Sequence, residues 1–289
     1  DHPASNERLV RVELLREAAA AARLIGMKNE AESPYIGAHT AWQLIGAMPR
    51  PFDVVLLGMG DDGHTASLFP GSAELTAGLD ASAVPACIGV RPLAAPYTRL
   101  SLNLAALLNS RTRVVAVSWV AFHNGWVFPL AEIGKLCRER GILLVVDAIQ
   151  GLGALPMDVA AANVDVLCAD AHKWLYAAEG GAVFFVAESA RERVPSRATG
   201  WWNLKTEGEY LEYRAAPYSG ARRYEPGTLP TVNIAGLAAA IDLLNEMGRG
   251  AVRDRILEFV EALRRGLAER GWTVRSPAPL ASGILAATP

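Results

Sequence analysis

Two clusters of chemically capable residues stand about a hundred positions apart in this chain of 289 residues. The first is "GMGDDGHTASLFPG", residues 58–71, which follows a short apolar run. Gly58, Gly60 and Gly63 let the backbone turn tightly and approach a ligand with no side chain in the way. His64 suits a general base near neutral pH, and Asp62 lies close enough in sequence to orient it. Thr65 or Ser67 is placed to open a following helix, whose free N–H groups favour an anion. The plainer reading is a glycine-rich strand-to-helix turn whose histidine caps backbone groups.

The second cluster spans two strand ends. "LLVVDAIQ" closes an apolar run with Asp147 and, three residues on, Gln150. "VDVLCADAHKWL" closes another with Asp170, His172 and Lys173. A lysine at the end of an apolar strand is poorly solvated, and its amine is placed to attack a carbonyl. A carboxylate at the neighbouring strand end suits a protonated heterocyclic nitrogen. Together they fit pyridoxal phosphate, with Lys173 forming the Schiff base and Asp147 keeping the ring nitrogen protonated so that the ring accepts electrons. The bland alternative is a structural ion pair between Lys173 and Asp147.

Positioning these groups takes an α/β fold. "PFDVVLLGMG", "RVVAVSWV", "ILLVVDAIQ", "VDVLCADAHK" and "GGAVFFVA" read as buried strands. "SNERLVRVELLREAAA", capped at Ser5 or Asn6, and part of "YIGAHTAWQLIGAM" read as helices. So do "PLAEIGKLCRERG", stopped by Gly141, and two long C-terminal segments ending at Gly248 and Gly271. Such alternation predicts a mainly parallel sheet flanked by helices, as two partial sheets or one merged sheet. Ligands of such sheets collect at the carboxyl ends of the strands.

Composition narrows the function classes. The formal charge is −2, with no basic half, which excludes a nucleic-acid or anionic membrane surface as the expected partner. Cys87, Cys137 and Cys168 lack metal-site or disulfide spacing, and Cys137 and Cys168 are expected to be reduced core residues. No metal site is expected. No apolar run reaches membrane-spanning length, so a cytoplasmic protein with a small-molecule substrate is the expectation. Both ends lack the polar character of ordinary termini and are expected to be cut. Trp126, Trp201 and Trp202 read as packing or subunit contacts, and His2, His39 and His123 as structural or surface residues.

Residues 1–112 resemble the 6-phosphogluconolactonase family, relatives of the glucosamine-6-phosphate isomerases. The string from Gly58 to Pro70 matches that family's G-x-G-x-D-G-H-T-A-S-L-F-P signature. The resemblance implies that His64 activates water against a phosphosugar lactone. The residues from about 111 onward resemble the class V aminotransferases, a family that includes cysteine desulfurases, kynureninase and isopenicillin N epimerase-like proteins. "VVDAIQGLGALPMDV", "DVLCADAHKWL", "EGGAVFFV" and "RRYEPGTLPTVNIAGLAAAIDLL" carry that likeness. It implies that Lys173 holds pyridoxal phosphate and Asp147 pairs with the pyridine nitrogen. It also implies that Gln150 contacts the ring hydroxyl and that His172 reaches the phosphate or the ring's surroundings. Gly227 and Thr228 match a "GT" element that touches the phosphate of a neighbouring subunit's cofactor, which implies a homodimer. Asp170 stands where desulfurases usually have serine, and Phe122 where many relatives place an asparagine near the ring.

The expected organisation is therefore a composite chain. Residues 1–112 form an incomplete lactonase-like segment and 113–289 an incomplete class V segment, meeting where "RVVAVSWV" suits either sheet. The leading functional expectation is a pyridoxal-phosphate enzyme acting on an amino acid, by transamination or epimerisation rather than desulfuration. The alternatives are hydrolysis of a phosphosugar lactone through His64 and Asp62, and a composite chain without catalysis.

Overall fold

The computed structural model describes residues 5–49, 66–69, 72–80, 86–92, 97–103, 108, 111–205 and 216–289. These divide into two compact units, one running up to Arg111 and the other from Thr112 onward.

In the first unit Ser5 caps a helix, α1 (Asn6–Leu9), accepting from the Arg8 N–H, but the helix gives way after four residues to a π-type turn over Val10–Leu14. Of the apolar residues whose spacing suggested a longer helix, Leu9, Val12 and Leu15, the first two are exposed and Leu15 is only half-buried. With no face to bury, helical spacing alone does not sustain a helix. The next helix, α2 (Pro34–Gly46), has a full start signal: the Ser33 hydroxyl accepts from the Ile36 N–H and Pro34 occupies the first turn. It packs on the antiparallel pair β1 (Cys87–Val90) and β2 (Arg99–Leu102). At Gly89 a Cβ would meet the Tyr35 backbone nitrogen at 2.6 Å, so glycine permits that approach. A short helix, α3 (Leu75–Leu79), supplies Glu74 at its entrance, where one carboxylate oxygen accepts from Tyr35 Oη at 2.8 Å. The strand expected in "PFDVVLLGMG" lies outside the described residues.

The second unit is built on a four-stranded sheet in the order β3 (Val114–Ser118), β4 (Leu143–Asp147), β5 (Val166–Asp170), β6 (Ala182–Val186). β3, β4 and β5 run parallel, whereas β6 pairs with β5 antiparallel. The short link after β5 turns the chain back through Gly180 at φ +87, and a return that tight reverses the strand. The helix α4 (Leu130–Glu139) crosses from β3 to β4 and buries Leu130, Ile133, Leu136 and Cys137, the face its spacing predicted. Gly141, at φ +65, ends it. The C-terminal helices α5 (Thr231–Met247) and α6 (Arg249–Ala268) meet at Gly248, φ +82. Their Leu237, Leu244 and Val252 enclose Ala171 and Leu175 in one apolar cluster. A last small ladder pairs β7 (Thr273–Val274) with β8 (Ala287–Thr288).

The sheet's two faces differ. Leu144, Val146, Leu167 and Ala169 point to one side and are buried. Partners in a ladder share a face, so Ser118, Asp147, Cys168 and Phe184 form a row across the other side. There Asp147, Cys168 and Phe184 are exposed. This corrects the expectation that Cys168 is a core residue: its face of the strand is covered at Val166 but opens at Cys168 and Asp170, toward the carboxyl end. Cys137 is buried as expected.

Candidate functional site

The carboxyl ends of β3, β4 and β5 lie side by side, and the register places Ser118 beside Asp147 and Asp147 beside Cys168. The Asp147 carboxylate accepts from the Ile149 N–H at 3.0 Å, closing a turn that fixes its side chain at the strand end. Its carbonyl accepts from the Trp119 N–H and the Cys168 carbonyl from the Ala148 N–H, both at 2.8 Å. Those bonds continue the ladder one step beyond the strands.

Two glycines fit the loop after β4 against its neighbours, Gly151 against the end of β3 and Gly153 against the loop after β5. A Cβ at Gly151 would stand 2.4 Å from the Trp119 ring. Gly153, at φ +100, leaves room for the Trp174 carbonyl, which a Cβ would meet at 2.1 Å. The Lys173 loop is thereby held against the Gln150 loop. Ala171 and Leu175, both buried, anchor it on either side of Lys173. Lys173 and Gln150 are half-buried, while His172 and Asp170 are exposed.

Among the described residues, Lys173 forms no ion pair with Asp147, Asp170 or any other carboxylate. The structural ion pair offered as the bland reading of these two groups is therefore not what the fold makes. An amine and a carboxylate stand at neighbouring strand ends with neither neutralising the other. The thiol between the acids registers their charge: the Cys168 pKa is pushed up, first by loss of solvent around its sulfur, then by Asp147 and Asp170. Beyond β3, Phe122 is exposed, and the buried His123 Nε2 and Asn124 Nδ2 have no hydrogen-bond partner among the described residues.

The "GT" element is fixed from a different quarter. Gly227 is half-buried and Thr228 exposed, and a Cβ on Gly227 would meet nothing within 4 Å. The stretch before it is fastened to residues 198–203. Asn203, 1 % exposed, donates through Nδ2 to the carbonyls of Ala198 (2.8 Å) and Arg223 (2.9 Å) and accepts from the Gly200 N–H at 2.9 Å. The Trp202 N–H reaches the Pro226 carbonyl at 3.4 Å, and a Cβ at Gly200 would collide with that same carbonyl at 2.0 Å. Asn203 was not foreseen from sequence, because its partners lie up to 20 residues away and share no motif. The paired glycines of "QGLG" were a visible signal, though not of which aromatic residues approach them.

The first cluster is placed less fully. Asp62, His64 and Thr65 lie outside the described residues. Ala66 and Ser67 follow at φ +49 and +59, a left-handed pair in a turn. Ser67 therefore opens no helix, and the next one begins at Leu75. Among the described residues no group of acidic, histidine or cysteine side chains is arranged to hold a metal ion. No described helix is long and apolar enough to cross a membrane.

Residues 93–285, well over half of the chain, match the family model for class-V aminotransferases. The chain belongs to the class-V aminotransferase family. Residues 1–119 match a second model, that of glucosamine-6-phosphate isomerases/6-phosphogluconolactonase, so a lactonase-like region precedes and slightly overlaps the class-V region. The uncharacterized aminotransferase YcbU of Bacillus subtilis is 29% identical over 192 residues, 66% of this chain and 48% of that protein. A 6-phosphogluconolactonase of Pseudomonas aeruginosa is 41% identical over 116 residues, 40% of this chain and 49% of its own. Among solved structures, the cystine C–S lyase C-DES in complex with its reaction product cysteine persulfide aligns with a TM-score of 0.59 at 26% identity. That alignment covers 64% of this chain and 50% of the lyase. A variant of the same lyase carries glycine covalently linked to its pyridoxal phosphate cofactor. The chain spans about half the length of the curated relatives it matches.

Proposed function

We propose that the second unit is a pyridoxal-phosphate site acting on an amino acid, with Lys173 as the attachment point. The observation that carries this reading is the pair of charged groups, Asp147 and Lys173, at neighbouring strand ends with no ion pair between them. The donor set fits the ring of that cofactor: a carboxylate for a cationic nitrogen, an amide for a hydroxyl oxygen, an amine for an aldehyde.

Bound there, pyridoxal phosphate supplies an electron sink that stabilises negative charge at an amino acid's α-carbon. Asp147 holds a proton at the pyridine nitrogen, its carboxylate aimed by the Ile149 N–H. Gln150 donates to the ring hydroxyl oxygen. Lys173 would hold the group through its Nζ and, when the substrate's amine takes its place there, would be the free amine that moves a proton at the α-carbon. His172, exposed beside it, would serve the phosphate or the ring's surroundings, and Gly227 with Thr228 would hold the phosphate of a second copy's cofactor in a homodimer. Transamination or epimerisation suits these residues better than desulfuration. Cys168 sits on a strand rather than a loop, and burial with the two neighbouring acids raises its pKa, against the reactive thiolate.

The test is direct. The purified chain mixed with pyridoxal phosphate turns yellow, and borohydride then fixes the label on Lys173, located by peptide mass. A colourless protein, or one whose spectrum is the same in Lys173→Ala, rejects the reading.

The lactonase-like region supports a second reading, hydrolysis of a phosphosugar lactone with His64 as base and Asp62 orienting it. The 41% identity to a 6-phosphogluconolactonase favours it. Lactone hydrolysis undiminished in His64→Ala would dismiss it.

A further inference from the structure

We infer that Arg222 is a preset binding residue for an oxyanion, a phosphate monoester or a carboxylate, beside the "GT" element. Its guanidinium carbon lies 4.3 Å from the Tyr218 ring centroid and 4.6 Å from that of Trp202, so two aromatic rings hold it. Its Nε donates to the Trp202 carbonyl at 3.0 Å, which uses the inner edge of the guanidinium. Three contacts thus fix a side chain that ordinarily keeps most of its rotamer freedom. The residue is nonetheless exposed, and among the described residues no carboxylate pairs with it.

Its neighbour shows what a structural arginine looks like here. Arg223 turns inward, pairs with Glu192 at 3.2 Å and reaches the Arg191 carbonyl. Of two adjacent arginines, one is consumed by the fold, and the other is immobilised with no partner on its terminal nitrogens among the described residues. An exposed guanidinium held rigid through its faces and its Nε keeps its terminal N–H groups for the planar, bidentate geometry of a carboxylate or phosphate. Because it is already ordered, it loses little entropy on binding.

Location supplies the second argument. Trp202, the residue Arg222 stacks on, donates its N–H to the carbonyl of Pro226, immediately before Gly227. The guanidinium is therefore tied through a single residue to the segment proposed to meet a phosphate. This placement rests on the pyridoxal-phosphate reading, whereas the preorganised guanidinium does not.

The experiment uses the full chain and Arg222→Met and Arg222→Lys variants, with circular dichroism to confirm folding. The ratio of apparent dissociation constants for pyridoxal and pyridoxal phosphate, read from absorbance, reports on the phosphate. The ratio of spectral responses to alanine and alaninamide on the loaded chain reports on a substrate carboxylate. Broadening of the inorganic phosphate signal in ³¹P NMR reports on Arg222 with no cofactor present. Arg222→Met is expected to lower one of the two ratios about tenfold, the usual size of a charge-assisted contact, with Arg222→Lys recovering only part. Which ratio falls identifies the oxyanion's source. If wild type fails to bind either pyridoxal compound, the Lys173 reading fails, and loss of phosphate broadening in Arg222→Met still upholds Arg222. No change between wild type and Arg222→Met in any of the three measurements overturns the inference.

Discussion

Asp147 and Cys168 stand side by side in the parallel β4–β5 ladder, on the open face of the sheet, with Asp170 two residues further along that face. A thiol so placed must ionise against two negative charges, and its pKa is raised by lost solvent first and by those acids second. Since the thiolate is the reactive form, alkylation of Cys168 by iodoacetamide should rise with pH at a midpoint above that of an ordinary thiol. Asp147→Asn should bring the midpoint down, and Asp170→Asn should do so by less. Midpoints equal in wild type and both variants would show that the acids do not act on the sulfur.

The same carboxylate has a separate task if the chain carries pyridoxal phosphate. Asp147→Asn keeps the size and the bond from the Ile149 N–H but cannot stabilise a protonated pyridine nitrogen. Pyridoxal phosphate should still label Lys173, while conversion of an amino acid should fall by about a hundredfold or more, the scale typical of a lost acid–base contribution. Single-turnover spectroscopy separates the two effects. A variant that loses labelling and turnover together would assign Asp147 to binding instead.

Asp147 and Lys173 were legible in sequence because each ends an apolar run, and a strand end is where a charged residue can be both positioned and solvated. The face of Cys168 was not. A run such as "VLCAD" suits a strand buried on both sides as well as one buried on a single side, and only neighbours decide. The direction of β6 was hidden for a related reason, since "GGAVFFVA" pairs equally well either way until the length of the preceding link is known. Asn203 was out of reach altogether: its worth comes from three backbone groups brought together by tertiary structure. The "GT" element could be read as a motif, but what fixes it could not.

Gly153 tests how the two site loops depend on one another. Alanine there would have to adopt φ +100 and place its Cβ 2.1 Å from the Trp174 carbonyl, one residue after Lys173. Backbone conformations of that kind cost side-chain-bearing residues about 1–3 kcal/mol. Gly153→Ala should lower stability to urea by at least that amount and weaken pyridoxal phosphate binding by displacing Lys173. Gly141→Ala, also at positive φ but with open space around the added atom, should cost stability alone. Equal binding losses in the two variants would show that the Trp174 contact does not position the lysine.

Burial raises the thiols of Cys87 and Cys137 from 9.0 to about 11 each. The unfolded chain therefore sheds these protons first. Their contribution to stability is complete below about pH 9 and is lost as pH rises through about 11. Thermal melts of wild type and Cys137→Ala should show a gap that changes across that window, the variant losing less on going alkaline. The subtraction removes lysines and tyrosines, which titrate in the same range in both proteins. A gap constant from pH 8 to 11 would mean that Cys137 ionises as freely folded as unfolded.

Asn203 offers the sharpest separation between holding the fold and holding the "GT" element. Removing its side chain strands the carbonyls of Ala198 and Arg223 and the N–H of Gly200. Each buried polar group left unpaired costs about 1–3 kcal/mol, so Asn203→Ala should be among the more damaging single changes in the second unit. Asn203→Asp keeps the acceptor for Gly200 but has no hydrogen to give the two carbonyls, and it sets a charged oxygen against both of them, with only the more distant Ser196 hydroxyl at 3.5 Å on that side. It should therefore be the worse of the two despite being closer in shape. If segment 223–228 positions a phosphate, hydrogen exchange at Gly227 and Thr228 should quicken in Asn203→Ala more than in strands β3–β5. The preference for pyridoxal phosphate over pyridoxal should shrink in step. Faster exchange with an unchanged preference would leave Asn203 a stabilising residue and release Gly227 and Thr228 from the phosphate.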